Sequence, residues 1–315
     1  MRYLTLLISL LALSIGCASH ATKSSNNDID IDADTIATRR FVPSEITLQD
    51  IKTRDQLDDY IAHYWDTFPF AEGESIEEYD TNDIYAAFAQ YVLIIPRSEA
   101  DSLLRHLMLR AEASREALDL FAEVAHDVLY DPNAPTRNDE YYIPVLETLV
   151  ESELLDEYDK IVPQRELHIV YQNRLGHIAN DFTMTLADDT HLTLHSLKAD
   201  YTILLFNNPG CEMCREIIDG IESSELIKSL SRDHNIKIVT LYPDEDITAW
   251  RDYLPTMPQS WICGYDKELR LTSERLYDLK AIPSLYLLDR NKRVIIKDGS
   301  SLKQLEEALM LLNKK

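Results

Sequence analysis

The hydrophobic pattern of this 315-residue chain changes its period near residue 166, and this change limits the folds that the chain can adopt. Between 41 and 165, apolar residues recur three, four or seven positions apart, as in Leu104, Leu107, Ala111 and Leu118. That spacing is typical of amphipathic helices. After residue 166, short alternating or fully apolar runs are interleaved with helical segments, which predicts an α/β architecture. The sequence therefore predicts an all-α domain at 41–165 followed by an α/β domain at 166–315.

The first of these domains is expected to hold four to six helices and no strand. The first predicted helix covers Leu57–Trp65 and is capped by Asp55, and the second follows Thr81 and ends before Pro96. A capping box of Ser98 and Asp101 then begins one long helix, or a broken pair, that ends at Asp131–Pro135. The last is a helix over Tyr142–Leu155 with a start signal at Pro144. These signals rest on side-chain caps and on proline at helix boundaries.

Aromatic side chains in this domain are expected to form its core, with a ligand groove or partner surface as the alternative. They are Trp65, Phe68, Phe70, Phe88, Tyr91, Tyr141 and Tyr142. His63, His106 and His126 have no partner at the spacing of metal ligands, so we expect ordinary surface or hydrogen-bonded histidines.

The second domain is expected to begin with a hairpin and to continue as alternating strands and helices. The predicted elements are strands at Asp181–Leu186, His191–Leu194, Tyr201–Phe206, Ile236–Leu241, Ser284–Leu288 and Val294–Lys297, a helix from the turn at Asn207–Gly210 to about Leu230, and helices at Thr248–Leu254 and Leu302–Leu312. The run Tyr201–Phe206 is apolar throughout, which indicates a central strand buried on both faces.

The N-terminus carries the features of an export signal. Arg2 precedes an apolar stretch within Met1–Gly16, which is too short to span a bilayer as a helix. Small residues before Cys17 resemble a bacterial lipoprotein signal, in which Cys17 would be lipidated. An ordinary secretory signal and a retained anchor are the alternatives. Polar and acidic residues at 17–40 predict a flexible tether.

The charge of the chain excludes several functions. There are 31 basic and 55 acidic residues, a net charge of −24 with neutral histidines. A nucleic-acid-binding protein requires a basic surface, so we predict no nucleic-acid partner. Only 7 glycines are present and no glycine-rich phosphate loop occurs. We predict no bound cofactor and no metal ion.

Two cysteines stand three positions apart where a predicted strand leads into a helix. Cys211 precedes Glu212, Met213 and Cys214. A thiol at a helix N-terminus faces unpaired amides and the positive end of the helix dipole, which lowers the pKa of the thiol and favours the thiolate. The spacing also brings the second sulfur within reach of the first, so that a mixed disulfide can be resolved within the chain.

The segment from Tyr277 to Ser284, with Ile282 and Pro283, resembles the cis-proline loop that faces the active thiols in thioredoxin-like folds. A cis proline turns the chain sharply and lacks a backbone donor. The resemblance implies that Ile282 pairs through its backbone with a bound substrate strand.

On these residues, 176–315 resembles the thioredoxin-like thiol–disulfide oxidoreductases of the bacterial envelope. Asn180-Asp181-Phe182 is similar to the opening strand of that family, Asp244–Trp250 to its acidic turn and helix, and Asp289–Lys292 to its late turn. The resemblance implies a thioredoxin-like fold in which Cys211 attacks a disulfide and Cys214 resolves the intermediate.

The helical half resembles a domain of uncharacterised function that precedes thioredoxin folds in lipoproteins of Gram-negative bacteria. The residues that carry this likeness are Asp131–Asn138 and Tyr142–Leu146. No activity follows from it.

Several positions depart from the oxidoreductase pattern. Gly210 stands where the family usually has Trp, and Met213 where many members have Pro. Glu212 opposes thiolate formation at Cys211, against the helix dipole. Glu212 and Glu216 are the candidates for proton transfer, and a solvated helix face is the alternative. Cys263 is expected to be buried and inert, with a regulatory thiol or a metal ligand as alternatives, and Trp261 is a candidate to replace the missing aromatic residue.

The predicted function is an envelope-anchored thiol–disulfide oxidoreductase whose partners are protein thiols or disulfides and a membrane or periplasmic redox protein. The alternative is a non-enzymatic interaction module in which Cys211 and Cys214 form a structural disulfide. A peroxide reductase is disfavoured because Asn208 stands where that chemistry requires Thr or Ser. A lone Cys pair also lacks the further ligands of a structural zinc site.

Overall fold

The computed structural model describes residues 39–43, 47–71, 73 and 76–313. The predicted signal peptide, Cys17 and most of the predicted tether lie outside these residues. The described part of the chain forms one compact unit. None of its helices is both long enough and apolar enough to cross a membrane.

Six α-helices make up the first half of the described chain. They are α1 (Arg54–Ala62), α2 (Thr81–Ile94), α3 (Ala100–Ala111), α4 (Arg115–Leu129), α5 (Asp139–Glu151) and α6 (Ile161–Val170). Helix α6 was not predicted. The predicted domain boundary near residue 166 falls inside this helix, and the position of the boundary stays a prediction. Its Pro163 lies in the first turn, where a missing amide donor leaves no helical hydrogen bond unmade.

The boundaries of these helices correct three predictions. Thr53, not Asp55, caps α1 in a capping box with Gln56. Ser98 and Asp101 form no capping box, because α3 begins after Glu99, whose side chain makes no cap hydrogen bond. Pro144 lies inside α5, which starts at Asp139 because the Asn138 side chain accepts a hydrogen bond from the amide of Glu140.

The predicted long helix is a broken pair. Helix α3 ends at Ala111, and Ser114 caps α4 by accepting a hydrogen bond from the amide of Ala117. Apolar faces of both helices pack in the core of the helical half, where Leu104, Met108 and Phe121 are fully buried.

The predicted aromatic residues form that core. Trp65 packs edge-on against Phe121 with ring centroids 5.1 Å apart, and Phe68 does the same at 5.0 Å. Phe70, Phe88, Tyr91 and Tyr142 are also buried, whereas Tyr141 is partly exposed.

The second half is a seven-stranded mixed sheet with helices. Its strands are β1 (Thr183–Leu186), β2 (His191–Thr193), β3 (Tyr201–Phe206), β4 (Ile236–Tyr242), β5 (Ile262–Tyr265), β6 (Ser284–Asp289) and β7 (Val294–Gly299), in the order β2-β1-β5-β4-β3-β6-β7. Strands β3, β4 and β5 are parallel to one another, and the other pairs are antiparallel. Strand β5 was not predicted.

The helices of this half are α7 (Glu212–Ser223), α8 (Glu225–Asp233), α9 (Ile247–Tyr253), α10 (Arg270–Ser273) and α11 (Leu302–Asn313). The single helix predicted up to about Leu230 is two helices, because Ser224 leaves the helical conformation and caps α8 through a hydrogen bond from the amide of Ile227. The predicted hairpin, central strand, late strands and closing helix are confirmed.

Candidate active site

The register of the sheet brings three connecting segments to the same edge. Phe206, at the end of β3, pairs with Ser284 at the start of the antiparallel β6 and with Leu241 near the end of the parallel β4. The segment after β3, the segment before β6 and the segment after β4 therefore lie together. The cysteine pair belongs to the first of them and Ile282-Pro283 to the second.

Cys211 and Cys214 form a disulfide at the start of α7. Their Cα atoms are 5.2 Å apart, within the usual range for a disulfide. Cys211 is the N-cap of α7, and its Sγ accepts a hydrogen bond of 3.1 Å from the amide of Cys214. Cys211 is partly exposed, whereas Cys214 is fully buried. An incoming sulfur can therefore approach Cys211 but not Cys214.

The cis-proline segment lies directly against this disulfide. The Ile282-Pro283 bond is cis, as predicted. The carbonyl oxygen of Ile282 is 4.0 Å from Sγ of Cys211. Pro283 is buried and Ile282 is partly exposed, so the backbone of Ile282 is available beside the sulfur.

The two candidate carboxylates lie on the outer face of α7. Glu212 and Glu216 are exposed, and among the described residues neither makes a hydrogen bond or an ion pair. Met213 is also exposed, at 57%. Arg215 donates a hydrogen bond of 2.7 Å to the Thr256 hydroxyl, which fixes α7 to the segment after α9. The structure thus leaves the proton-transfer role of both glutamates a prediction.

Trp261 lies in the core on one side of the sheet, whereas Cys263, which was predicted to be buried, is only partly buried. Trp261 is 9% exposed and belongs to the same apolar cluster as Ile217 and Met257, against which Cys263 packs. Burial raises the pKa of the Cys263 thiol, so the thiolate form is disfavoured. Within the described part of the chain, no group of three or more His, Cys, Asp or Glu side chains is placed to hold a metal ion.

One polar contact at this edge was missed from the sequence. The side-chain amide of Asn208 donates a 2.7 Å hydrogen bond to the carboxylate of Asp244. It joins the segment after β3 to the segment after β4. Asn208 belongs to the turn predicted at Asn207–Gly210. The available sequence signal for its contact with Asp244 is that both residues follow strands.

The helical half contacts the segment before Pro283 through the ring of Tyr130 and strand β7 through Arg137. Lys280 lies over the ring of Tyr130, with Nζ 3.3 Å from the ring centroid, and pairs with Asp278 at 2.7 Å. Arg137 lies 3.2 Å from the carboxylate of Asp298. The contacts of Tyr130 with Lys280 and of Arg137 with Asp298 were also missed, because residues so far apart in sequence carry no local signal. The helical half therefore packs against the segment that precedes Pro283.

Two family models match the chain. The model described as a domain of unknown function (DUF5106) matches residues 18–173. The model described as thioredoxin-like matches residues 199–294. A comparison with curated proteins finds no match.

Solved structures extend these matches. A thioredoxin-like protein from Bacteroides caccae is 35% identical, with a TM-score of 0.79, and the match covers 86% of this chain and 98% of that one. The C-terminal domain of an uncharacterized protein from Bacteroides fragilis is 43% identical over 44% of this chain and 98% of that one, with a TM-score of 0.43. The thioredoxin domain of a thiol-disulfide oxidoreductase from Bacteroides vulgatus is 16% identical over 45% of this chain and 96% of that one, with a TM-score of 0.38.

The likeness to the Bacteroides caccae protein spans both halves of the described chain, and both family models agree with the fold. The chain therefore belongs to the thioredoxin-like family, with a domain of unknown function preceding its thioredoxin-like domain.

Proposed function

We propose that this protein is a thiol–disulfide oxidoreductase of the bacterial cell envelope, anchored by a lipid on Cys17. The observation that carries the proposal is the asymmetry of the cysteine pair. Cys211 is partly exposed at the N-terminus of α7, and its partner Cys214 is fully buried. A purely structural disulfide requires no such access to one sulfur.

In the reducing direction, the Cys211 thiolate attacks one sulfur of a substrate disulfide. The substrate S–S bond breaks, the leaving sulfur takes up a proton, and Cys211 is joined to the other substrate sulfur. Cys214 then attacks Sγ of Cys211, which forms the Cys211–Cys214 disulfide and releases the second substrate thiol. Two electrons pass from the cysteine pair to the substrate. The reverse sequence oxidises two substrate thiols.

The surroundings of Cys211 support the thiolate. The amide of Cys214, which donates to Sγ of Cys211 in the disulfide form, stabilises negative charge on that sulfur together with the N-terminal dipole of α7. Ile282 and Pro283 align the substrate chain beside the sulfur. Glu212 and Glu216 are assigned the exchange of protons with solvent. A periplasmic or membrane redox partner restores the starting state.

The experiment is a trap for the mixed disulfide. The Cys214→Ser variant cannot resolve the intermediate, so with a disulfide-linked peptide dimer it should accumulate an adduct of one peptide on Cys211, detected by mass. Cys211→Ser should form no adduct, and Cys263→Ser should behave as the unmodified protein. An adduct on Cys263, or none in the Cys214→Ser variant, contradicts the proposal and favours the non-enzymatic alternative.

A further inference from the structure

A groove of about 340 Å³ begins at the cis-proline segment and continues to the helical half. Its apolar lining comes from three parts of the chain: Ile169 of α6, Pro243 after β4, and Leu279 and Ile282 before Pro283. Asp244, Thr272, Arg275, Tyr277 and Asp278 line the rest of it. Ile169, Leu279 and Ile282 are partly exposed, so the groove presents apolar surface to solvent. One wall of it therefore belongs to a helix that lies outside the thioredoxin-like sheet.

Helix α6 is fixed in this place by hydrogen bonds to the thioredoxin-like half. Nζ of Lys297, from β7, donates a 2.8 Å hydrogen bond to the carbonyl of Val170. Three residues further on, the Asn173 side chain donates a 2.7 Å hydrogen bond to the carbonyl of Leu276, near the cis-proline segment. Because Val170 directly follows Ile169, these contacts hold the Ile169 side chain in the wall of the groove.

The groove is continuous with the position at which a substrate sulfur would react. Ile282 lines it, and the Ile282 carbonyl is 4.0 Å from Sγ of Cys211. In an extended substrate, residues two or three positions from the reacting cysteine lie about 7–10 Å from it. A chain that is bound at Cys211 and passes Ile282 therefore places such a residue in the groove.

We propose that Ile169 of the helical half is a specificity-determining residue, and that the groove takes an apolar side chain two or three positions from the reactive cysteine of an extended protein substrate. This inference rests on the proposed thiol–disulfide exchange. It assigns the helical half a part in choosing substrates, because α6 supplies the wall that the thioredoxin-like sheet lacks.

The test compares two probes that release the same coloured thiol. One is an octapeptide whose single cysteine carries thionitrobenzoate as a mixed disulfide and whose residue two positions away is Leu. The other is dithiobis(nitrobenzoate), which has no residue two positions from its reactive sulfur. In both cases the reduced Cys211–Cys214 pair is oxidised to the disulfide and the probe disulfide is split into two thiols. The quantity measured is the ratio of the second-order rate constant for the peptide to that for the small probe.

For Ile169→Arg we expect the ratio of peptide to small-probe rate to fall about tenfold, since an apolar contact in a pocket is worth roughly that factor. Ile169→Ala should give a smaller fall and covers the case in which the arginine variant does not fold. Ile161→Arg is the matched control. Ile161 is exposed at the other end of the same helix, about 12 Å away by helical rise, and its variant should keep the ratio.

Replacing Leu by Glu in the peptide should lower the rate of the unmodified protein but not that of Ile169→Arg, whose guanidinium can pair with the glutamate. An unchanged ratio in both Ile169 variants overturns the inference but leaves the proposed function standing. If the unmodified protein reacts with neither probe, the proposed function fails and the inference fails with it.

Discussion

The buried carboxyl of Asp298 should make the protein less stable as the pH rises from about 4 to about 7. Its side chain is only 11% exposed, and Nη2 of Arg137 lies 3.2 Å from the carboxylate. The same nitrogen donates a 2.6 Å hydrogen bond to the Asp298 carbonyl. Asp298 has a φ of +49°, a conformation that Asn also tolerates, so Asp298→Asn removes the charge and keeps the backbone.

Burial raises the pKa of Asp298 to about 6 from 3.8, although Arg137 opposes the shift. Because the folded protein holds this proton more tightly than the unfolded chain does, the carboxyl contributes stability that is complete below about pH 4 and is lost as the pH rises through about 6. A shift of about two units corresponds to roughly 3 kcal/mol in the free energy of unfolding. The side-chain amide that Asp298→Asn introduces does not titrate.

The assay is urea unfolding of the wild type and Asp298→Asn at several pH values. The free energy of unfolding of the wild type, minus that of the variant, should fall by about 3 kcal/mol between pH 4 and pH 7. Asp252→Asn, at an exposed position, should follow the wild type. At pH 7, Arg137→Met alone should lower the free energy of unfolding by about 3 kcal/mol, because it leaves the buried Asp298 carboxylate unpaired. In the Asp298→Asn background, the same substitution should lower it much less. A difference that is constant with pH refutes the reasoning.

The other predictions concern the proposed lipid anchor at Cys17, the free thiol of Cys263 and the N-cap of α4. Cys17→Ser should abolish incorporation of a labelled fatty acid and release the protein from the membrane fraction; a variant that stays labelled contradicts lipidation at this residue. Since burial raises the pKa of the Cys263 thiol, native Cys263 should react with iodoacetamide more slowly than a free cysteine at pH 8, and an equal rate would show that it is accessible. Ser114→Ala should lower the free energy of unfolding by about 1 kcal/mol, because Ser114 caps α4, whereas Ser98→Ala should leave it nearly unchanged; equal losses in denaturant titrations would count against the observed helix boundaries.

Local patterns were enough to predict most elements of the fold. The apolar run Tyr201–Phe206 is the central strand β3, and the cysteine pair follows it at the start of a helix. These elements are encoded by residues close together in the sequence. The cis bond at Ile282-Pro283 was predicted from the order of the elements rather than from the dipeptide itself.

The errors in the predicted secondary structure occur at short elements and at helix starts where more than one residue could set the boundary. Strand β5 has four residues, too few to show a period, and it lies between β4 and β1. Its Gly264 lies against Met184, where a Cβ atom would come within 3.0 Å of the Met184 Cβ, so close packing rather than propensity defines this strand. At α5, the N-cap hydrogen bond of Asn138 sets the start of the helix, whereas the sequence predicts a start at Pro144.

Contacts between the helical half and the thioredoxin-like half could not be predicted from the sequence. The pairs Arg137–Asp298 and Asp139–Lys297 join residues more than 150 positions apart. The segment Asp131–Asn138 predicts a helix end and carries a family resemblance, and the structure gives it two further roles, since Arg137 reaches Asp298 and Asn138 caps α5. The groove wall at Ile169 likewise follows only from three-dimensional packing.

The most direct test of the central claim is a redox titration of the intact protein in glutathione buffers, with free thiols alkylated and counted by mass. We predict one reversible two-electron couple on Cys211 and Cys214, and an alkylation pKa for Cys211 below the value of about 8.5 for a free thiol. A potential near about −270 mV would mark a reductant, and one near about −120 mV an oxidant. Absence of a reversible couple, or thiols that react only after unfolding, would contradict the claim.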